Sequence, residues 1–114
     1  MVKFLGLLLL AAPGAAFALT PEQILTPPCR ADLNHCAASQ GFQFYMGGVL
    51  DAVAHYQEAL AEAGEPPLYC REAAELFDMT SILKHLAQLP PEIAKRNTTA
   101  GVLDYLAKNG GCKN

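Results

Sequence analysis

The stretch FQFYMGGVLDAVAHYQEAL, residues 42–60, decides the fold of this chain. Its apolar side chains recur every three or four residues, the spacing that places them on one side of an α-helix. Gln43, Asp51 and Glu58 fall elsewhere around the helix. The pattern predicts an amphipathic helix from about residue 37 to residue 63. Its apolar stripe consists of Phe42, Tyr45, Met46, Val49, Val53, Tyr56 and Leu60.

Gly47 and Gly48 stand in the middle of this helix. Each glycine costs a helix interior about 1 kcal/mol relative to alanine. We expect the close approach of another backbone or an aromatic ring to offset that cost. Gly64 and the Glu65-Pro66-Pro67 run then end the helix, since neither glycine nor proline favours its continuation.

Helical signals also flank this stretch on both sides. Thr20 and Pro21 predict a short first helix that ends at Thr26-Pro27-Pro28. After the long helix, Asp78 or Thr80 can begin a third helix. A fourth begins at Pro91 and stops at 109–111. The predicted core residues of these last two helices are Ile82, Leu83, Leu86 and Leu89, then Ile93, Val102, Leu103 and Leu106.

The composition supports the same fold class. Beyond residue 18, alanine and leucine number 26 while valine and isoleucine number 6, a ratio that favours helix over strand. The connections between the predicted helices are short, which favours antiparallel neighbours. The sequence therefore predicts an all-α fold, a compact bundle of about four helices stapled by disulfides.

Residues 1–18 have the three-part pattern of a secretory signal peptide. Lys3 precedes an apolar run, residues 4–12, which is too short to span a bilayer as a helix. Ala16 and Ala18 supply the small residues of a cleavage site. We therefore expect 1–18 to be removed and 19–114 to form a single helical domain, with no membrane attachment after cleavage.

The remaining 96 residues are too few for a Rossmann enzyme or a barrel. They carry seven Lys and Arg against eleven Asp and Glu, a net charge of −4. An acidic chain without a basic run is a poor candidate for binding nucleic acid, because phosphate backbones attract cations.

Four cysteines follow the leader, and an even number in an exported chain indicates disulfides. If the third and fourth helices are antiparallel, Cys70 before one lies near Cys112 after the other. Cys29 and Cys36 can then pair locally. Three connectivities are possible, and this is the favoured one. Disulfides imply an oxidising compartment, and the leader indicates the bacterial periplasm.

Candidate catalytic and metal-binding residues are few. Cys29, His35 and Cys36 lack the spacing of zinc sites, and disulfide formation is the favoured interpretation of the two cysteines. Asp51 and His55 could form an acid–base pair, but a solvated helix face explains them better. The aromatic residues of the stripe suggest a core more than a ligand groove. We therefore predict a protein that is not an enzyme and holds no metal or cofactor.

At the centre of the long helix, YMGGVLDA (residues 45–52) resembles the Y-x-x-G-V-x-D-A signature of the Rap/Tai immunity proteins. The matching residues include Tyr45, Gly48, Asp51 and Ala52. Phe42 departs from the pattern, since many members carry Cys there. Further similar segments follow in the same order: Tyr69-Cys70, the apolar positions Ile82, Leu83 and Leu86, the Pro91-Glu92 turn, residues 100–106 and Cys112.

The resemblance implies a periplasmic immunity protein, often a dimer. Such a protein binds a cognate peptidoglycan amidase or endopeptidase, an effector of a type VI secretion system, and inhibits it by occluding its active site. The acidic charge of this chain would steer a basic effector towards it. We expect the contacts in two exposed loops, at Glu62, Glu65, Pro66, Pro67, Pro90, Pro91 and Glu92.

A general periplasmic stress protein is the alternative. Its size and disulfides are similar to those of acid-activated helical chaperones. In that case, protonation of carboxylates near pH 3 would loosen the packing and expose apolar surface.

Overall fold

Eight α-helical segments make up most of residues 19–113, the part of the chain described by this computed structural model. The predicted leader, residues 1–18, lies outside that part. Residues 19–113 contain no strand, which confirms the all-α prediction. The segments are α1 Pro21–Ile24, α2 Pro27–Ala31, α3 Leu33–Ala38, α4 Gln40–Glu62, α5 Ala73–Leu76, α6 Met79–Ala87, α7 Pro91–Ala94 and α8 Thr98–Asn109.

Helix α1 begins where its capping residues predict. The Thr20 hydroxyl accepts a hydrogen bond from the Gln23 amide at 3.2 Å, and the Gln23 side chain accepts one from the Thr20 amide at 2.9 Å. Pro27 and Pro28 end this first piece, as predicted, and at once begin α2. They can do so because proline fits the first helical positions, where no intrahelical amide donor is needed.

The long helix α4 confirms the prediction from periodicity. It is capped by Ser39, whose hydroxyl accepts a hydrogen bond from the Phe42 amide at 3.3 Å. It ends after 23 residues, and Gly64 then turns the chain with a φ of +74°. Such a conformation suits glycine because it has no Cβ.

The side of α4 that faces the core differs from the predicted stripe. The buried line consists of Phe42, Met46, Leu50 and Val53. Leu50 belongs to it, whereas Tyr56 is 56% exposed. The intervals of four, four and three residues keep these four side chains towards the core. Tyr56 falls about 60° around the helix from Val53, on the flank.

Helices α6 and α8 pack together in antiparallel orientation. Gly101, in the first turn of α8, lies against the end of α6, since a Cβ there would meet Leu86 Cδ2 at 2.6 Å and Leu89 Cδ1 at 2.9 Å. Nearer the other end of α8, the Tyr105 hydroxyl donates a hydrogen bond to the Leu76 carbonyl at 2.8 Å. Three side chains of α6 form the centre of the core, Ile82, Leu83 and Leu86.

The predicted fourth helix is two helices, α7 and α8. Asn97 adopts an extended conformation between them, and its side chain caps α8 by accepting a hydrogen bond from the Ala100 amide at 3.0 Å. Thr98, which is fully buried, donates from its hydroxyl to the Leu19 carbonyl at 3.0 Å. This contact fastens the start of the described chain to the start of α8.

Two apolar residues of this region are less buried than predicted. Ile93 is half-buried, and Leu103 is 39% exposed. The restart of the helix at Thr98 sets which side of α8 faces α6. Val102 and Leu106 take the inner positions, while Leu103 lies on the flank.

Both favoured disulfides are present. Cys29 is bonded to Cys36 across the junction of α2 and α3. Cys70 is bonded to Cys112 and joins the segment after α4 to the chain beyond α8. Such bonds are typical of an oxidising, non-cytoplasmic compartment. Among the described helices, none is long and apolar enough to cross a membrane.

Gln57 fastens α4 to the segment that follows it. Its side-chain oxygen accepts hydrogen bonds from the amides of Leu68, at 2.7 Å, and Tyr69, at 3.3 Å. Its side-chain nitrogen donates to the Tyr69 carbonyl at 2.6 Å. On the other side of this segment, the Gly110 carbonyl accepts from the amides of Cys70 and Arg71. Residues 68–71 are thus held between α4 and the end of α8, and we call this arrangement the clamp.

The two disulfides differ in the length of chain they close, which predicts unequal effects. Cys70→Ala/Cys112→Ala should lower the free energy of unfolding by about 4 kcal/mol, and Cys29→Ala/Cys36→Ala by about 2.5 kcal/mol. Urea titration of each double variant against the wild type measures the difference. An equal or reversed order would contradict the prediction.

Candidate protein-binding face on the long helix

The residues that match the immunity-protein signature differ in their exposure on α4. Tyr45 is half-buried beside the core, whereas Gly48, Asp51 and Ala52 are exposed. A shallow concavity runs along this exposed side, lined by Gly48, Asp51, Ala52, Ala54, His55 and Glu58. Most of the signature therefore belongs to a surface rather than to the core.

The expectation about Gly47 and Gly48 is wrong. A Cβ built on either would meet no other heavy atom of the described structure within 4 Å, after the helix's own neighbouring backbone is set aside. No backbone or ring from residues 19–113 approaches the helix there. The helical cost of the two glycines, about 1 kcal/mol each, is not offset by packing within this part of the chain.

Phe44 is the most exposed large apolar residue of the described chain, at 74%. It lies on the same outer side of α4 as Asp51 and Glu58, because intervals of seven residues return to nearly the same side of a helix. Phe44 is not among the residues predicted from the sequence to bind a partner. The available signal was its position between Gln43 and Tyr45, off the apolar stripe.

Charge is segregated along the chain. Residues 31–70 contain no Lys or Arg. The same stretch contains five acidic residues, Asp32, Asp51, Glu58, Glu62 and Glu65. All of them are exposed, so α4 and the turn after it carry exposed acidic residues and no Lys or Arg. A surface of one sign attracts partners of the opposite sign and repels copies of itself.

The two loops predicted to bind a partner are both exposed, but they lie at opposite ends of α8. Leu89, beside the second loop, packs near Gly101 in the first turn of α8. Pro67, in the first loop, lines a concavity with Leu106 and Cys112 at the last turn. The loops are therefore separated along the length of α8. The exposed residues in question are Glu62, Glu65, Pro66, Pro67, Pro90, Pro91 and Glu92.

A second exposed apolar feature lies between α4 and α8. Tyr56 and Leu103 border a groove of about 200 Å³. Its other lining residues are Val49, Ala52, Val53, Leu68 and Thr99. Because no Asp, Glu, Lys or Arg lines it, this groove differs in character from the acidic outer side of α4.

A polar cluster joins α6 to α8 on the far side of the core. His85 Nε2 donates to Asp104 Oδ2 at 2.8 Å, and Lys108 Nζ donates to the same oxygen at 3.1 Å. The hydrogen bond from His85 holds the pKa of the Asp104 carboxyl below its ordinary value, and Lys108 adds to this effect. The His85 ring also packs edge-on against Tyr105, at 5.4 Å between centroids. The cluster has no local signal in the sequence, because His85 lies 19 residues before Asp104.

The other chemical candidates are placed as follows. Asp51 and His55 are exposed, and neither is hydrogen-bonded to the other within the described structure. Cys29 and Cys36 are joined to each other, so neither sulfur is a thiolate available beside His35. Among residues 19–113, no group of three or more His, Cys, Asp or Glu is arranged to hold a metal.

Comparison with family models, with curated proteins and with solved structures finds no match to this chain. The resemblance to the Rap/Tai proteins therefore stays a prediction.

The Asp104 cluster predicts acid sensitivity. Asp104→Asn removes a charge-assisted hydrogen bond and should lower the free energy of unfolding by about 1–2 kcal/mol at pH 7. Because the folded-state pKa of Asp104 is depressed, its contribution is present above the unfolded value, near 4. It is lost as the pH falls through the lower folded-state pKa.

Denaturant titrations at pH 7 and near pH 2 test this expectation, and the wild type and the variant should converge at the lower pH. Asp51→Asn is the matched control, because that carboxylate is exposed and should change stability by less than about 0.5 kcal/mol. A difference between Asp104→Asn and wild type that persists unchanged at pH 2 would contradict it.

Proposed function

We propose that this chain is an exported immunity protein that binds a peptidoglycan-cleaving enzyme and blocks its active site. The compartment would be the bacterial periplasm, which the leader and the disulfides favour. The partner would be an amidase or endopeptidase delivered by a type VI secretion system. The proposal combines the resemblance in residues 45–52 with the physical character of α4.

The observation that carries the proposal is the exposure of Gly48, Asp51 and Ala52 on α4. Within residues 19–113, no packing contact requires a glycine at position 48. Residues that serve only the fold are expected to fill the core or to satisfy backbone geometry. The glycine lowers the stability of the helix, and no packing contact within the described chain offsets that loss. Such a surface favours a role in contact with another molecule.

The charge of the surface favours a basic partner. Enzymes that act on the anionic cell wall are often basic, and the acidic stretch 31–70 would attract such an enzyme. Occlusion of a cleft also benefits from a rigid inhibitor, because less conformational freedom is lost on binding. The two disulfides and the clamp around residues 68–71 supply that rigidity.

A second candidate function is a general chaperone-like role, and the groove beside Tyr56 and Leu103 favours it. Chaperones hold unfolded chains through exposed apolar surface. Hydrogen bonds from Ser81 and His85 lower the pKa values of Asp78 and Asp104 respectively, so their ionised forms stabilise the fold. Protonation of these carboxylates at low pH would loosen the packing and enlarge the exposed apolar surface.

The decisive experiment combines the oxidised chain, residues 19–114, with a candidate peptidoglycan amidase or endopeptidase, sought first among the genes that neighbour its own. We expect a stable complex at pH 7 and loss of hydrolysis of purified cell walls, because binding would cover the cleft. Size-exclusion chromatography and release of soluble wall fragments are the measurements. Lysozyme is the control enzyme and should stay active.

Full activity of that hydrolase in the presence of excess chain would contradict the proposal. The chaperone-like alternative predicts a different result, namely suppression of aggregation of an unrelated unfolded protein near pH 3 but not at pH 7.

A further inference from the structure

We infer that Phe44 is an anchor that this chain inserts into an apolar pocket of a basic protein partner, and that the glycines around it leave the helix surface bare so that the rim of the pocket can close. The inference rests on the proposed function for the kind of partner. It adds which residue enters the partner and why the surrounding helix has its composition.

The geometry of α4 isolates the Phe44 ring. On a helix surface, a side chain is neighboured by those three and four residues away in each direction. For Phe44 these positions are Gln40, Gly41, Gly47 and Gly48. Three of the four have no side chain. The phenyl ring, 74% exposed, therefore projects from an almost bare stretch of helix.

The fold explains the other described glycines. Gly64 and Gly111 have φ angles of +74° and +80°, which favour glycine. Gly101 is packed against Leu86, and a Cβ on Gly110 would lie 3.0 Å from that of Tyr69.

The glycines around Phe44 have no such reason. A Cβ on Gly41, Gly47 or Gly48 would meet nothing within 4 Å. The glycines of the described chain that the fold does not require are thus the three that adjoin Phe44. Because all three adjoin Phe44, we assign their role to that residue.

An exposed aromatic ring that is surrounded by glycines can enter an apolar pocket of a partner. Interface energy concentrates in a few residues that fill desolvated pockets, and aromatic side chains are prominent among them. Side chains at positions 41, 47 and 48 would hold the walls of such a pocket away from the helix. Their absence lets the walls reach the α4 backbone and exclude water from the ring.

The charge along the same side of α4 defines the partner. Asp51 and Glu58 follow Phe44 at intervals of seven residues, about 10 Å per step, and Glu62 lies one turn further. A complementary partner carries an apolar pocket with basic side chains about 10 and 20 Å from it. A second copy of this chain is a poor occupant, because two acidic faces would repel each other.

Two substitutions separate a binding role from a structural one. Phe44→Ala should weaken binding to the hydrolase that the wild type inhibits by tenfold or more, with the fold unchanged, because the ring is mostly exposed. Gly48→Leu should raise Tm by about 4–8 °C, since it removes the helical cost of the glycine. It should also weaken binding by tenfold or more, because leucine would cover the ring and block the pocket rim.

Tyr56→Ala is the matched control, an exposed aromatic residue on the same helix that faces the groove instead, and it should bind like the wild type. Calorimetric titration at pH 7 and thermal unfolding are the measurements. A lower Tm for Gly48→Leu would show that the fold needs the glycine and would overturn the inference. Unchanged affinity of Phe44→Ala would overturn it while the proposed function stands. If the wild type binds no hydrolase, both fall together.

Discussion

The fold depends on the bonds that fix residues 68–71 between α4 and the end of α8. On one side, Gln57 of α4 satisfies backbone groups of Leu68 and Tyr69 with hydrogen bonds of 2.6–3.3 Å. On the other, the Gly110 carbonyl accepts from two successive amides, and the Cys70–Cys112 disulfide makes the same connection covalently. The absence of a Cβ at Gly110 allows this approach, since one would lie 3.1 Å from the Tyr69 Cα. One extended segment thereby couples the longest helix to the last one.

This arrangement leaves one side of α4 without a role in the fold. The line from Phe42 to Val53 faces the core, and Gln57 continues that side towards the clamp. The opposite side needs only to be compatible with a helix and with solvent. Alanine, glutamate or lysine would serve better there than glycine and phenylalanine do, because they favour helix and suit water. The residues actually present are therefore best explained by something outside the described chain.

Much of the fold is predictable from the sequence because its signals are local. The periodicity of residues 42–60 gave α4, and capping residues such as Thr20 and Asp78 gave two helix starts. The Cys70–Cys112 bond was the favoured one of three connectivities, because antiparallel order brings these two cysteines together, and the structure contains it. Tertiary choices were not predictable. Asn97 can either continue a helix or cap a new one, and the structure shows that it caps α8 where Thr98 bonds to Leu19. The position of Phe44 off the apolar stripe did indicate exposure, but the structure was needed to show that nothing packs against the glycines around it.

Rigidity and specificity come from the same construction. A pocket-filling residue on a flexible loop loses conformational freedom when it binds, whereas one on a clamped helix has lost most of it during folding. The 23-residue helix α4 presents Phe44 and the acidic row behind it as one stiff unit, so the spacing between anchor and charges is fixed before any encounter. Three helix-weakening glycines are tolerable in such a unit because the disulfides and the clamp stabilise the chain elsewhere. The scaffold can accept a locally unfavourable surface, and that surface is what a partner would recognise.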